Sequence, residues 1–168
     1  MDLSAVPIDK PDGLNVIVGQ AHFVKVVEDI HEALVGASPH LLFGLAFCEA
    51  SGQCLVRRSG NNKELVEHGA VHAEAIGAGH SFVILLRDGY PINVLNALRP
   101  IPEICSLFCG TANAVEVLIA QTDLGRAIIG VVDGMPPAGI DQTRTRPPAK
   151  AISERSATSS ELADGRSC

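Results

Sequence analysis

Tryptophan is absent from this chain of 168 residues, and one tyrosine and five phenylalanines bring the aromatic share to only 4%. Yet 46% of the residues are hydrophobic. A core with so few large rings must be filled by Val, Ile, Leu and Ala on elements that approach closely, which favours helices layered on a sheet. The length suits one ordinary domain and is short for two.

Positive charge is scarce as well. Thirteen Lys and Arg face nineteen Asp and Glu, for a net charge of −6, and no basic cluster occurs. Nucleic acid, which demands concentrated positive charge, is therefore excluded as a partner. Long apolar runs are missing too: LLFGLAFC, Leu41 to Cys48, falls far short of the ~20 residues that cross a bilayer. No membrane partner is expected. The opening MDLSAVPIDKPDG has acids and prolines where a signal peptide carries basic residues and then an apolar segment, so a cytoplasmic location is expected. The cysteines, Cys48, Cys54, Cys105, Cys109 and Cys168, form an odd set without a CxxC pair. Four of them lie in or beside apolar runs, which suits reduced, buried thiols. Familiar catalytic signatures are also lacking: no Walker A lysine motif, no kinase HRD or DFG, no GxGxxG opening a helix and no GxSxG.

What is present is a body of alternating apolar runs and glycines up to Ile140, followed over residues 141–168 by a Ser, Arg and Thr-rich segment expected to be a disordered tail. The acidic excess belongs to the body. Within it, LNVIVG reads as a strand, and Phe23, Val27, Ile30 and Leu34 form one helical stripe. HLLFGLAFCEA and SFVILLRD are unbroken apolar runs, as in strands buried on both faces. CLVRR is a partner strand for the first of them. Asn61 or Asn62 can cap a helix that runs to about Ile76 with Leu65, Gly69, Ala73 and Ile76 inward, and Gly77 and Gly79 end it. PINVLNALR opens on proline, as helices often do. ICSLFCG, VEVLIAQT and RAIIGVV read as strands, the last two as an antiparallel pair across Asp123, Leu124 and Gly125. The expected architecture is a single α/β domain over residues 1–140, with helices packed on a mixed sheet.

Polar residues gather at the ends of these strands: Gln20 and His22, Glu49 and Ser51, Arg87 and Asp88, Thr111 and Asn113, then Asp133. Open α/β sheets bind ligands beyond strand C-termini, so one shared pocket is expected; strand ends are also simply where a chain meets water. His80, after two glycines, has the chemistry for proton transfer or for carrying a phosphoryl group. A histidine there can equally satisfy the last carbonyls of a helix. His68 and His72 have a zinc-compatible spacing, but Gly69 stands where a metalloprotease carries glutamate, and a solvated helix edge is expected for both. Surface positions are expected for His31 and His40. Phosphate recognition falls to Arg57, Arg58, Arg87 or Arg126.

In their order, NVIVGQAHF, FGLAFCEASG, AIGAGHSFVILLRDGYPINVLNA and FCGTANAVEVLIAQTDLGRAIIGVVDG resemble the family of adenosine-specific kinases over nearly all of Leu14 to Gly139. The resemblance implies an adenosine- or AMP-binding α/β domain with phosphotransfer through a histidine. It carries ligand-binding roles onto Gln20, Glu49, Ser51, Arg87, Asp88, Asn93, Asn96, Asn113, Arg126 and Asp133. Asn93, Asn96 and Asn113 would read base or ribose, Glu49 or Asp88 would accept from hydroxyls, and Arg87 or Arg126 would meet a phosphate. His80 is the first choice as phosphoryl acceptor and His22 the second. No resident cofactor is implied beyond Mg2+ accompanying a phosphate donor. GTANA stands where the family reads ATANP. A non-catalytic nucleotide sensor and, more remotely, a zinc hydrolase built on His68 and His72 are the competing readings. The aliphatic content of a short acidic chain points to a homo-oligomer.

Overall fold

The computed structural model describes residues 1–140, and the expected tail lies outside them. Met1–Gly134 clusters into one unit; Met135–Ile140, which belong to a second, carry no helix or strand. The elements run β1 (Asp2–Ile8), β2 (Asn15–Ala21), α1 (Val26–Ala37), β3 (Leu42–Cys48), β4 (Val56–Gly60), α2 (Lys63–Ile76), β5 (Ser81–Arg87), α3 (Pro91–Leu98), β6 (Ile104–Thr111), β7 (Val115–Gln121) and β8 (Arg126–Asp133).

A five-stranded sheet, ordered β4-β3-β5-β2-β6, forms the centre, and a three-stranded sheet, β1-β7-β8, packs beside it. The two-residue period of a strand sorts the core into two clusters. Ile17, Phe43, Leu45, Phe47, Phe82, Ile84 and Leu86 meet Val27, Ile30 and Leu34 of α1 and Val94 and Leu98 of α3. Their alternates Val16, Val18, Ala46, Cys48, Val83 and Leu85 meet Leu65, Ala73 and Ile76 of α2 and Val115, Val117 and Ile119 of β7. The unbroken apolar runs of β3 and β5 follow from this burial on both faces. Phe43, Phe47 and Phe82 are fully buried, and truncating any of them to Ala would cost about 3–5 kcal/mol. Gly44 lets α2 cross close over β3, because a Cβ there would fall on the backbone of Leu65 and Val66.

The α/β architecture stands, but every pairing between named strands is antiparallel, not mixed as expected. β2 and β3, joined through α1, do run the same way. β5 is inserted between them and pairs antiparallel with both. β7 and β8 form the expected hairpin, and Asn62 rather than Asn61 caps α2, accepting from Leu65 N–H at 3.1 Å. Asn61 instead ties down β3, bonding Phe43 N–H and the Leu41 carbonyl at 2.7 Å each.

Several side chains depart from the expected burial. Of the described cysteines Cys48 alone is fully buried, since Cys105 and Cys109 ride on the edge strand β6 and Cys54 on a loop. His31 is half-buried, bonded to Ser59 Oγ at 2.8 Å with its ring edge-on to Phe43. His72 is 7% exposed, not on a solvated edge, with Nε2 2.6 Å from the Asp9 carbonyl. The strand β1 has no signature in the sequence: it is mostly exposed and carries Pro7, and only pairing with the distant β7 makes it a strand.

Candidate functional site

Antiparallel pairing decides which strand ends meet. The ends of β2 and β3 and the start of β5 share one rim, while the end of β5 and the starts of β2 and β3 share the other. His80 and Arg87 therefore flank β5 at opposite ends, roughly 23 Å of strand apart. The expected single pocket does not form within the chain, because in an antiparallel sheet successive strand ends alternate between rims.

At the first rim, α2 stops at Gly77, whose φ of 59° lets its N–H return to the Ala73 carbonyl at 2.9 Å. Capping is thus done by Gly77, and His80 is left for another role. Gly79 passes so near the next loop that a Cβ would sit 2.8 Å from that of Ala50. His80 then adopts φ 62°, a left-handed conformation costly for a side chain other than glycine. Two bonds hold it there: its N–H donates to the Cys48 carbonyl at 2.8 Å, and its carbonyl accepts from Ala21 N–H at 2.9 Å. The imidazole stacks on the buried Phe47 ring, centroids 5.9 Å apart and planes 17° from parallel.

This ring faces a cavity of about 510 Å3 lined also by His22, Phe23, Glu49, Ser51, Leu55 and Arg57, a volume in the usual range for small-molecule sites. Phe23, expected on the α1 stripe, precedes that helix and is 53% exposed, and Leu55 across the cavity is 56% exposed. The two supply apolar walls. His22 donates its backbone N–H to the Glu103 carbonyl at 3.0 Å, and its Nδ1 lies 3.2 Å from the same oxygen. A carbonyl only accepts, so the proton belongs on Nδ1 and the lone pair on Nε2. Glu103 itself is 8% exposed with Oε2 unpartnered among the described residues, and Lys25 Nζ lies 3.8 Å from Oε1.

Glu49 braces the loop between β3 and β4. Its Oε2 accepts from Leu55 N–H and its own N–H donates to the Leu55 carbonyl, both at 3.1 Å. Arg126 reaches the same rim from β8, donating to the Ala75 carbonyl at 3.0 Å and to Gln121 Oε1 at 2.7 Å. It lines an adjoining groove of about 950 Å3 that shares Glu49. Gln20 is exposed on β2 and lines neither.

The opposite rim holds the remaining carried-over residues. Arg87 donates to Glu64 at 3.0 Å, a bond that holds the Glu64 carboxyl below its ordinary range and pushes the guanidinium up. Asp88, at φ 61°, makes the turn into α3, and Asn93 Oδ1 accepts from Tyr90 N–H at 2.8 Å. Asn113 donates to Asp133 at 2.9 Å, and Asn96 and Asn113 line a groove of about 670 Å3. Gly110, the first residue of GTANA, lies against Pro91.

The model of the family described as adenosine specific kinase matches residues 6–155. The chain belongs to the adenosine specific kinase family. Among solved structures it is similar to the PH1918 protein from Pyrococcus horikoshii OT3, with 38% identity over 99% of each chain and a TM-score of 0.81. No curated protein matches.

Kinase chemistry on adenosine, which the family suggests, needs a purine slot, a nucleophile or base, and a means of meeting phosphate charge. The rim at His80 brings apolar, imidazole and guanidinium side chains around one cavity. Among the described residues no cluster of three His, Cys, Asp or Glu is disposed to hold a metal, and His72 is committed to Asp9. Glu49 is the one carboxylate lining the His80 cavity. A Mg2+ arriving with a donor would accordingly take most of its ligands from phosphates and water. No described helix is long and apolar enough to cross a membrane. Sequence reasoning missed Glu103 and Phe47 at this rim; a lone glutamate after Pro102 and a phenylalanine inside an apolar run gave no signal for either.

Proposed function

We propose that the protein binds adenosine or AMP in the cavity beside His80 and moves a phosphoryl group through that histidine. The observation that carries this reading is His80 itself: a strained backbone clamped from both sides, with the ring stacked on Phe47 and turned to the cavity. His22, His31 and His72 each direct a ring nitrogen to a protein oxygen among the described residues; His40, His68 and His80 do not, and of these three only His80 lines the cavity. Cys54 and Asp88 also have positive φ, but neither lines this cavity; strain of this kind at a cavity-lining side chain is expected where function requires the geometry.

In the reaction, an imidazole nitrogen of His80 attacks the terminal phosphorus of a phosphate donor, the P–O bond to the leaving group breaks, and a P–N bond forms. The 5′-hydroxyl of adenosine then attacks the same phosphorus, the P–N bond breaks, and the hydroxyl proton passes to His22 Nε2. Phe23 and Leu55 offer the apolar surface for the base. The protein acts in the cytoplasm as a homo-oligomer in this reading, supported by aliphatic side chains left 57% exposed at Ile129 and 43% at Val132 on β8.

The test is labelling of the full chain with a radioactive phosphate donor. Acid-labile, base-stable label is expected on the wild type and lost in His80→Gln. Equal labelling of that variant eliminates His80 as the carrier. Adenosine or AMP binding with no label from any donor would favour the sensor instead.

A further inference from the structure

Four arginines were candidates for meeting a phosphate, and the fold separates them. Arg87 is on the far rim with Glu64. Arg126 bonds Ala75 and Gln121 and lines the adjoining groove, not the His80 cavity. Arg57 and Arg58 are neighbours on β4, so their side chains leave opposite faces of the sheet. Arg58 goes to the α2 face and bonds Glu67 at 2.7 Å. Arg57 pairs across the strands with Phe47, the residue whose ring stacks on His80, and lines the same cavity.

Arg57 is held by one contact, Nη2 to Glu28 Oε1 at 3.0 Å, between side chains 39% and 54% exposed. An exposed ion pair of this kind is weak and screened by solvent. A guanidinium has five N–H donors in a planar fork, so most remain for a second, stronger acceptor.

We propose that Arg57 is the phosphate subsite of the His80 cavity. It takes the phosphomonoester of a nucleoside monophosphate, with Glu28 as the counter-ion that releases or shares it. The subsite makes the cavity discriminate AMP from adenosine, since only AMP offers oxygens to the fork. Arg57 also shares the cavity with His80, the residue that would carry the transferred group. This inference rests on the adenosine reading of the cavity.

Calorimetry on the full chain with AMP and with adenosine tests it. Arg57→Gln is expected to weaken AMP binding roughly 10- to 100-fold, the loss of a charge-assisted contact, while adenosine stays within about twofold. Glu28→Gln, which frees the fork, is expected to tighten AMP about threefold and leave adenosine unchanged. Equal AMP affinity in wild type and Arg57→Gln, with adenosine bound by both, overturns the subsite and spares the cavity. Parallel loss of both ligands in Arg57→Gln at an unchanged melting temperature also overturns it, because the residue would then serve the nucleoside. A wild type that binds neither ligand removes the adenosine reading, and the subsite with it.

Discussion

The two rims of the central sheet are built from the same strands, but they use their polar side chains differently. At the far rim Arg87 is bonded to Glu64, Asn93 to the backbone of Tyr90, and Asn113 to Asp133. Those groups hold turns and helix α3 in place. At the near rim Glu49, His22 and Arg126 are bonded to the protein in the same way, but His80 is not. Backbone bonds to Cys48 and Ala21 hold His80 while its ring is left toward an open cavity flanked by exposed Phe23 and Leu55. Polar groups consumed by the fold stabilise it, and polar groups held but not consumed are available to a ligand.

The sharpest break of this contrast is at Gly79. Because a Cβ there meets Ala50 at 2.8 Å, Gly79→Val should push the loop after β3 away from His80, at about 1–3 kcal/mol of strain. Calorimetry should then show adenosine affinity down about tenfold or more; unchanged affinity would mean that this loop does not shape the site. Asn93→Ala at the other rim should do the opposite. It removes the acceptor for Tyr90 N–H, lowering stability by about 1 kcal/mol in urea unfolding, with adenosine affinity within twofold. A large loss of affinity would put both rims in one site, as an assembly of copies could.

The smallest effect is a pH dependence from a buried group away from both rims. Burial pushes His72 below the ordinary histidine value, with the Asp9 carbonyl opposing. The unfolded chain therefore takes up this proton first as pH falls. The contribution is complete above the unfolded value near ~6.5 and is lost progressively below it. His72→Gln keeps a donor for the Asp9 carbonyl and removes the titration. The fall in melting temperature from pH 7 to pH 5 should shrink in that variant, and an identical fall in both proteins would refute the assignment.

Much of the fold was legible because burial writes itself locally. Unbroken apolar runs marked β3 and β5, and the stripe of Leu65, Gly69, Ala73 and Ile76 marked the inner face of α2, which buries all four. Pairing direction is not local. Nothing in the runs themselves says that β5 enters antiparallel between β2 and β3, and that insertion is what sets His80 rather than Arg87 beside the ends of β2 and β3. The same limit hid β1, whose partner is over a hundred residues away, and Glu103, brought beside His22 only by the pairing of β2 with β6. Among the candidate residues, His80, His22, Glu49 and Ser51 do line one cavity. Their motifs were recognisable in the sequence, whereas the choice of Arg57 over Arg58 needed the face of β4 that each occupies.

The most direct test of the account is a crystal structure of the full chain with AMP. Density for the nucleotide is expected in the His80 cavity, with the base against Phe23 and Leu55. Density confined to the groove lined by Asn96 and Asn113, with the imidazole of His80 untouched, would contradict it.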